Sequence, residues 1–157
     1  PRRLPIGDPV NDALLREAAY FRQTLRVEAP LYYYVEDGIP NAYARPRGPV
    51  VLGTLLLRKC QSDDGQYFML SLGYVMAHEY GHQFQFRMTR NQVDQSPVTE
   101  LQADILAGYW AGQRLVSQGF GGVEAPRSVI LRKAKSIGDY VFRHPNHHGP
   151  PDQRERD

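Results

Sequence analysis

Apolar positions with helical spacing, together with helix start and stop signals, predict helices in four segments of this chain. In the first, from Asp8 to Arg26, they return every three or four positions and so lie on one face of a helix. Three later segments are also predicted as helices, the first from one mostly apolar face and the second from its Ser96-Pro97 start and the Gly119 behind it. They are Tyr67 to about Arg90, Ser96 to about Gln118, and Pro126 to about Phe142. The pattern therefore predicts one helix near the start of the chain and three towards its end.

The residues between the first two helices have the shorter pattern of strands. Leu31–Glu36 is rich in strand-forming residues and is followed by a turn signal. Asn41–Arg45 is predicted as a short extended segment, and Val50–Lys59 as an apolar strand or pair of strands in which Gly53 is typical of a bulge. A turn is expected at Gln61–Gly65. Helix, strands and then helices predict an α+β fold, with a small mixed sheet packed on helices.

Length and composition favour one folded domain and argue against several classes of protein. The 157 residues suit a single domain over 1–157, with an N-terminal helical segment at 1–30 and a His- and Pro-rich tail at 143–157. A hydrophobic content of 41% argues against disorder, and a net charge of +2 does not indicate nucleic-acid binding. No apolar stretch is long enough for a membrane span. Cys60 is the only cysteine, which excludes a Cys-rich zinc site and suggests a structural or incidental role.

One motif on the second predicted helix carries chemistry. His78-Glu79-Tyr80-Gly81-His82 has the form His-Glu-x-x-His, in which the two imidazoles lie four positions apart and so share one helix face. Both can therefore bind one zinc ion, while the carboxylate of Glu79 can reach a water on that ion. Gly81 would allow a second helix to approach closely. Fewer than roughly one chain in a hundred of this composition would contain the motif by chance.

A catalytic zinc site needs a third protein ligand, and the next predicted helix offers one. One large group of zinc peptidases has Gly and His three and six residues after the second histidine, but Gln85 and Met88 stand at those positions here. Glu100 lies 18 residues after His82, in the first turn of the next helix. Asp104 is four residues further on the same face, where a carboxylate can accept the other N–H of a ligating histidine. We therefore expect Glu100 as the third ligand.

These residues resemble the gluzincin zinc peptidases. The strings at 75–83 and 100–110 are most similar to those of bacterial neutral zinc metallopeptidases, and the strings at 136–139 and 148–154 resemble C-terminal strings of the same group. Asn41-Ala-Tyr-Ala44 instead resembles the prenyl-protein endopeptidases and the minimal gluzincins. The resemblance extends from about Asn41 to Arg154 and is strongest at the two helices that carry the candidate ligands.

The resemblance implies a zincin-like fold and a zinc-dependent peptidase. One zinc ion would be held by His78, His82 and Glu100 in a cleft between a sheet edge and the helix of the motif. Glu79 would be the general base that takes a proton from a zinc-activated water and passes it to the leaving amine. The strand at Asn41–Arg45 could hold an extended peptide or protein substrate by strand addition.

The tail contributes further expectations that rest on the same resemblance. Such enzymes use an additional donor for the developing oxyanion, and His148 is our choice because it lies in the matching string. His144, His147 and Tyr109 are the rivals. Arg154 could bind an acidic group near the site.

Other functions remain open from the sequence alone. A peptide deformylase would need a cysteine ligand in a Glu-Gly-Cys-like segment, whereas Cys60 lies in Arg-Lys-Cys-Gln. A zinc-stabilised binding or regulatory domain with latent or lost activity is the main alternative, although such a domain has no need of Glu79. The habits of the resembled group slightly favour an extracytoplasmic location, secreted or periplasmic. The sequence indicates no oligomeric state.

Overall fold

The computed structural model describes residues 1–90 and 96–140, with side chains of the last helix described to residue 137. Within these residues the chain forms a four-stranded mixed sheet and five α-helices, so the predicted α+β fold is confirmed. The strands are β1 (Arg2–Arg3), β2 (Leu31–Tyr34), β3 (Ala42–Ala44) and β4 (Val50–Gly53). The helices are α1 (Pro9–Leu25), α2 (Thr54–Asp64), α3 (Phe68–Met88), α4 (Pro97–Ser117) and α5 (Glu124–Tyr140), with a 3-10 turn at Gly65–Tyr67.

The sheet has the order β1-β2-β4-β3, which leaves β3 at one edge. β2 and β4 run parallel, with Leu31 opposite Val50, whereas β1 pairs with β2 and β3 pairs with β4 in the antiparallel sense. The amide of Gln83 on α3 donates to the carbonyl oxygens of Arg45, at 2.9 Å, and Gly48, at 3.3 Å. These bonds hold the turn after β3 against α3, so the edge strand and the helix of the motif are joined directly.

Helix α3 lies at the centre of the molecule. The sequence predicted one apolar face for it, but every residue from Leu70 to Gln83 is buried. The reason is that α1, α2, α4, α5 and two strands all pack around this one helix. Among the described helices, none combines the length and the apolar composition that crossing a bilayer requires.

Two glycines allow α4 to pack closely on α3. A Cβ atom on Gly73 would lie 2.2 Å from the ring of Trp110, and one on Gly81 would lie 3.1 Å from the Cα atom of Ala103. A side chain at Gly73 would therefore displace the ring of Trp110, and one at Gly81 would push against the backbone of α4. The expectation that Gly81 permits a close approach of helices agrees with this packing.

The prediction of a strand over Val50–Lys59 was wrong beyond Gly53. Residues from Thr54 onward form α2, which also includes most of the predicted turn at Gln61–Gly65. The buried carboxylate of Glu36 accepts hydrogen bonds from the backbone N–H groups of Leu55, at 2.8 Å, and Leu56, at 3.0 Å, and so caps the helix from a distant part of the chain. Gly53 marks no bulge, because it continues the regular register of β4 opposite Tyr34. A Cβ atom there would collide with the carboxylate of Glu36.

Candidate metal centre

Three side chains from α3 and α4 converge at one buried point. His78 and His82 lie one turn apart on α3, and their Nε2 atoms are 3.1 Å apart. Glu100, in the first turn of α4, places Oε2 3.4 Å from Nε2 of His78 and Oε1 3.5 Å from Nε2 of His82. All three residues are buried, with exposed fractions of 0%, 7% and 3% in that order. The ligands expected from the sequence are therefore brought together.

The spacing of these atoms fits a tetrahedral zinc ion. Ligand atoms that lie 2.0–2.1 Å from zinc at tetrahedral angles are about 3.3 Å from one another. The two Nε2 atoms, 3.1 Å apart, lie close to that spacing, and each of them has a different carboxylate oxygen of Glu100 at 3.4 or 3.5 Å. Two imidazoles and one carboxylate also form the ligand set that catalytic zinc sites use when they keep a fourth position for water.

Hydrogen bonds behind the rings determine which nitrogen atoms face the metal position. Nδ1 of His78 lies 2.9 Å from a carboxylate oxygen of Asp104, and Nδ1 of His82 lies 2.8 Å from Oε1 of Gln85. The amide of Gln85 donates to the carbonyl of Thr99 at 2.6 Å, so its oxygen is the atom that faces His82. Because Asp104 and Gln85 present acceptors, each Nδ1 carries a hydrogen, so a ring that binds a metal in its neutral form would do so through the lone pair on Nε2.

The electrostatics of the site favour a cation. Burial by itself lowers the pKa of His78, but its hydrogen bonds with Asp104 and Glu100 and the charge of Glu79 raise that pKa to about 10. Without a metal, therefore, a proton supplies the positive charge that these carboxylates need. A divalent cation at the same point would replace that proton and provide more charge.

Glu79 supplies a carboxylate beside the metal position that is not needed as a ligand. It follows His78 directly on α3 and is only 4% exposed. Its Oε2 atom is buried and has no hydrogen-bond partner among the described residues. A buried oxygen of this kind normally requires a partner, and a water molecule in the fourth position of a metal site would provide one.

The residues predicted as oxyanion donors do not gather in the described part of this site. The candidate donors His148, His144 and His147 lie outside the described residues, as does Arg154, which was predicted to bind an acidic group. Tyr109 is 66% exposed on the outer side of α4, whereas Glu100 lies on its buried side. The exposed position of Tyr109, away from the buried side that carries Glu100, argues against that rival assignment.

The sequence argument missed the role of Gln85. It was noted only as the residue that stands where another zinc group has glycine, yet its side chain joins His82 to the first turn of α4. The available signal was its position three residues after His82, on the same helix face.

The sequence argument did not single out Tyr34, a tyrosine whose pKa is affected by the charge of Glu79. The ring of Tyr34, at the end of β2, contacts that of Tyr43 edge-on at 5.4 Å. Burial, followed by the charges of Glu36, Tyr43 and Glu79, raises the pKa of Tyr34 to about 12, although a hydrogen bond with Asn41 lowers it. Its hydroxyl consequently remains protonated and able to donate at neutral pH.

Two imidazoles, a carboxylate ligand and a second carboxylate beside them define the kind of centre that metal-dependent hydrolases use to activate water. A family model of peptidase family M48 matches residues 12–137 of the chain. The chain therefore belongs to peptidase family M48, whose members depend on a metal that is generally zinc. Comparison with curated proteins and with solved structures gave no match.

Proposed function

We propose that this protein is a zinc-dependent peptidase in which His78, His82 and Glu100 hold one zinc ion and Glu79 is the general base. The observation that carries the proposal is the convergence of His78, His82 and Glu100, whose side-chain nitrogen and oxygen atoms approach one another at 3.1–3.5 Å, beside a buried Oε2 atom of Glu79 that has no hydrogen-bond partner among the described residues. Membership of peptidase family M48 supports the same reaction class.

The residues of this chain divide the chemistry between them. A bound zinc ion would lower the pKa of a water molecule and polarise the carbonyl group of the peptide bond. Glu79 would accept the proton of the attacking water and then donate it to the leaving amine. Asp104 and Gln85 would keep the two rings in the required tautomer and orientation.

The substrate that this arrangement favours is an extended peptide or protein segment. Within the described sheet, β3 pairs with a neighbour only through β4, so its other side presents backbone groups to an added strand. Gln83 holds the turn after β3 against the helix of His78 and Glu79, so a peptide on this edge would lie near the metal position.

Two residues are candidates for the donor to the developing oxyanion. His148 is assigned that role only because its segment resembles a C-terminal string of the neutral zinc metallopeptidases, since it lies outside the described residues. Tyr34 is the alternative among the described residues, because its hydroxyl is protonated and the charge of Glu79 helps to raise its pKa. Comparing the kcat values of His148→Ala and Tyr34→Phe would distinguish them, because loss of one oxyanion donor lowers kcat by roughly 100- to 1000-fold.

Metal analysis combined with a peptide-digestion assay tests the proposed function. We expect one zinc ion per chain in the wild type and in Glu79→Gln, with hydrolysis reduced by about 100- to 10,000-fold in the variant because the base is lost. Glu28→Gln is the matched control, since that side chain is 99% exposed. A wild type that binds zinc but hydrolyses no peptide would instead indicate a zinc-stabilised binding domain. A wild type that binds no metal would contradict both functions.

A further inference from the structure

The outer face of α4, meaning the positions of this helix that are exposed, has an unusual composition. None of those positions carries a charged residue, although the helix has 21 residues. Instead, five large apolar side chains follow one another along it. They are Val98, Leu101, Ile105, Tyr109 and Val116, with exposed fractions of 63%, 49%, 61%, 66% and 73%. An apolar row of this length on a protein surface marks an interaction site.

Two glycines within the same face have no explanation inside the described structure. Gly108 and Gly112 lie in the middle of α4, where glycine is unfavourable relative to alanine. A Cβ atom on either would meet nothing within 4 Å, in contrast to Gly73 and Gly81, which face packed neighbours. The close approach that Gly108 and Gly112 allow is therefore not used by any residue that the structure describes.

We propose that two copies of this chain associate through the outer faces of α4, with the two helices antiparallel. The order of residues on the face is complementary to itself in that direction. When the helices cross near Ala107, Val98 lies opposite Val116 of the partner subunit, and Ile105 lies opposite the partner's Tyr109. Leu101 then lies beside the partner's Gly112, which leaves room for it.

The size of the face indicates a reversible dimer. A helix of 21 residues is about 31 Å long. Two such helices in contact bury on the order of 1,000 Å² in total, the lower limit for a specific interface.

A lipid surface is a weaker candidate, because helices that bind anionic membranes carry Lys or Arg beside the apolar face. The one basic side chain of α4, Arg114, is paired with Glu17 at 2.8 Å.

Sedimentation equilibrium of the full chain tests the association. The wild type should show a concentration-dependent monomer–dimer equilibrium, and Ile105→Glu should weaken it by about tenfold or more, because it would bury an unpaired charge. Leu131→Glu is the matched control, since Leu131 is an apolar residue of α5 that is 58% exposed; it should dimerise as the wild type does. Circular dichroism should show the same helix content in all three proteins. A strictly monomeric wild type, or equal dimerisation by Ile105→Glu, would overturn the proposal.

Cysteine cross-linking tests the antiparallel order. The native Cys60 is fully buried, so introduced thiols can be followed without interference. A mixture of Val98→Cys and Val116→Cys should form a disulfide-linked pair on oxidation. Val98→Cys alone should not, because its two copies would be displaced by about 27 Å along the helix axis. Efficient linkage of Val98→Cys to itself would overturn the antiparallel order.

Binding of the monomer to neutral lipid vesicles, lost in Ile105→Glu, would assign the face to lipid instead.

Discussion

Replacing Asp104 with asparagine tests whether this residue orients His78 for metal binding. In the wild type, Oδ1 of Asp104 lies 2.9 Å from Nδ1 of His78, and the carboxylate is 19% exposed. Asparagine keeps the size of the side chain but loses the charge. It can also turn its NH₂ group towards the ring, and that would leave the hydrogen of a neutral His78 on Nε2, where it blocks ligation.

The expected magnitude follows from two opposing effects. Loss of a hydrogen-bond partner behind a ligating histidine lowers metal affinity by about 10- to 100-fold, equivalent to about 1.4–2.7 kcal/mol. The same carboxylate, however, helps to raise the pKa of metal-free His78 to about 10, so the variant suffers less competition from protons at neutral pH. We therefore expect the loss of zinc affinity in Asp104→Asn, relative to the wild type, to increase as the pH rises from 7 towards 10.

Competition with a chromophoric zinc chelator at several pH values measures this deficit. Asp63→Asn is the control, because Asp63 lies on the surface of α2 in an exposed pair with Lys59 and should leave zinc affinity unchanged. Thermal unfolding of the metal-free proteins shows whether Asp104→Asn is folded before zinc is added. Equal zinc affinity of Asp104→Asn and the wild type across the whole pH range would refute the assigned role.

Two further predictions concern protons and helix packing. Zinc affinity of the wild type should rise about tenfold per pH unit from pH 7 towards 10, because binding displaces one proton from His78, whose metal-free pKa is raised. Chelator titrations that show no dependence of zinc affinity on pH would contradict this prediction. Gly81→Ala should lower the free energy of unfolding by about 1–3 kcal/mol, because the added methyl group would lie 3.1 Å from the backbone of α4. Gly108→Ala should raise the free energy of unfolding by up to about 1 kcal/mol at low protein concentration, where the chain is monomeric, because a Cβ atom there meets no described residue. Denaturant titrations in which Gly81→Ala and Gly108→Ala change the free energy of unfolding in the same direction would refute this reasoning.

The elements that could be predicted from the sequence are those whose signals are local. Asp8 caps α1 with a side-chain oxygen that accepts from two backbone N–H groups, and Ser96 caps α4 just before Pro97. Both signals lie within a few residues of the helix they start. The short strand at Ala42–Ala44 lies inside the predicted extended segment Asn41–Arg45 for the same reason.

The elements that could not be predicted depend on distant residues. The helix α2 begins where Glu36 caps it, and this carboxylate lies 19 and 20 positions before the N–H groups that it accepts from. The apolar run at Val50–Lys59 fits a strand equally well when that cap is unknown. Likewise, the full burial of α3 reflects the number of elements that surround it, which the pattern of this helix does not specify.

The same distinction separates the ligands of the candidate metal centre from the residues that orient them. His78 and His82 share a face because of helix geometry alone, so their pairing follows from spacing. Glu100 reaches them only because α4 packs closely on α3 at Gly81. Gln85 acts on His82 only while its amide is held by the carbonyl of Thr99, a contact between two helices. A motif on one helix therefore indicates which metal chemistry is available, whereas the tautomers that make the ligands usable depend on how the two helices pack.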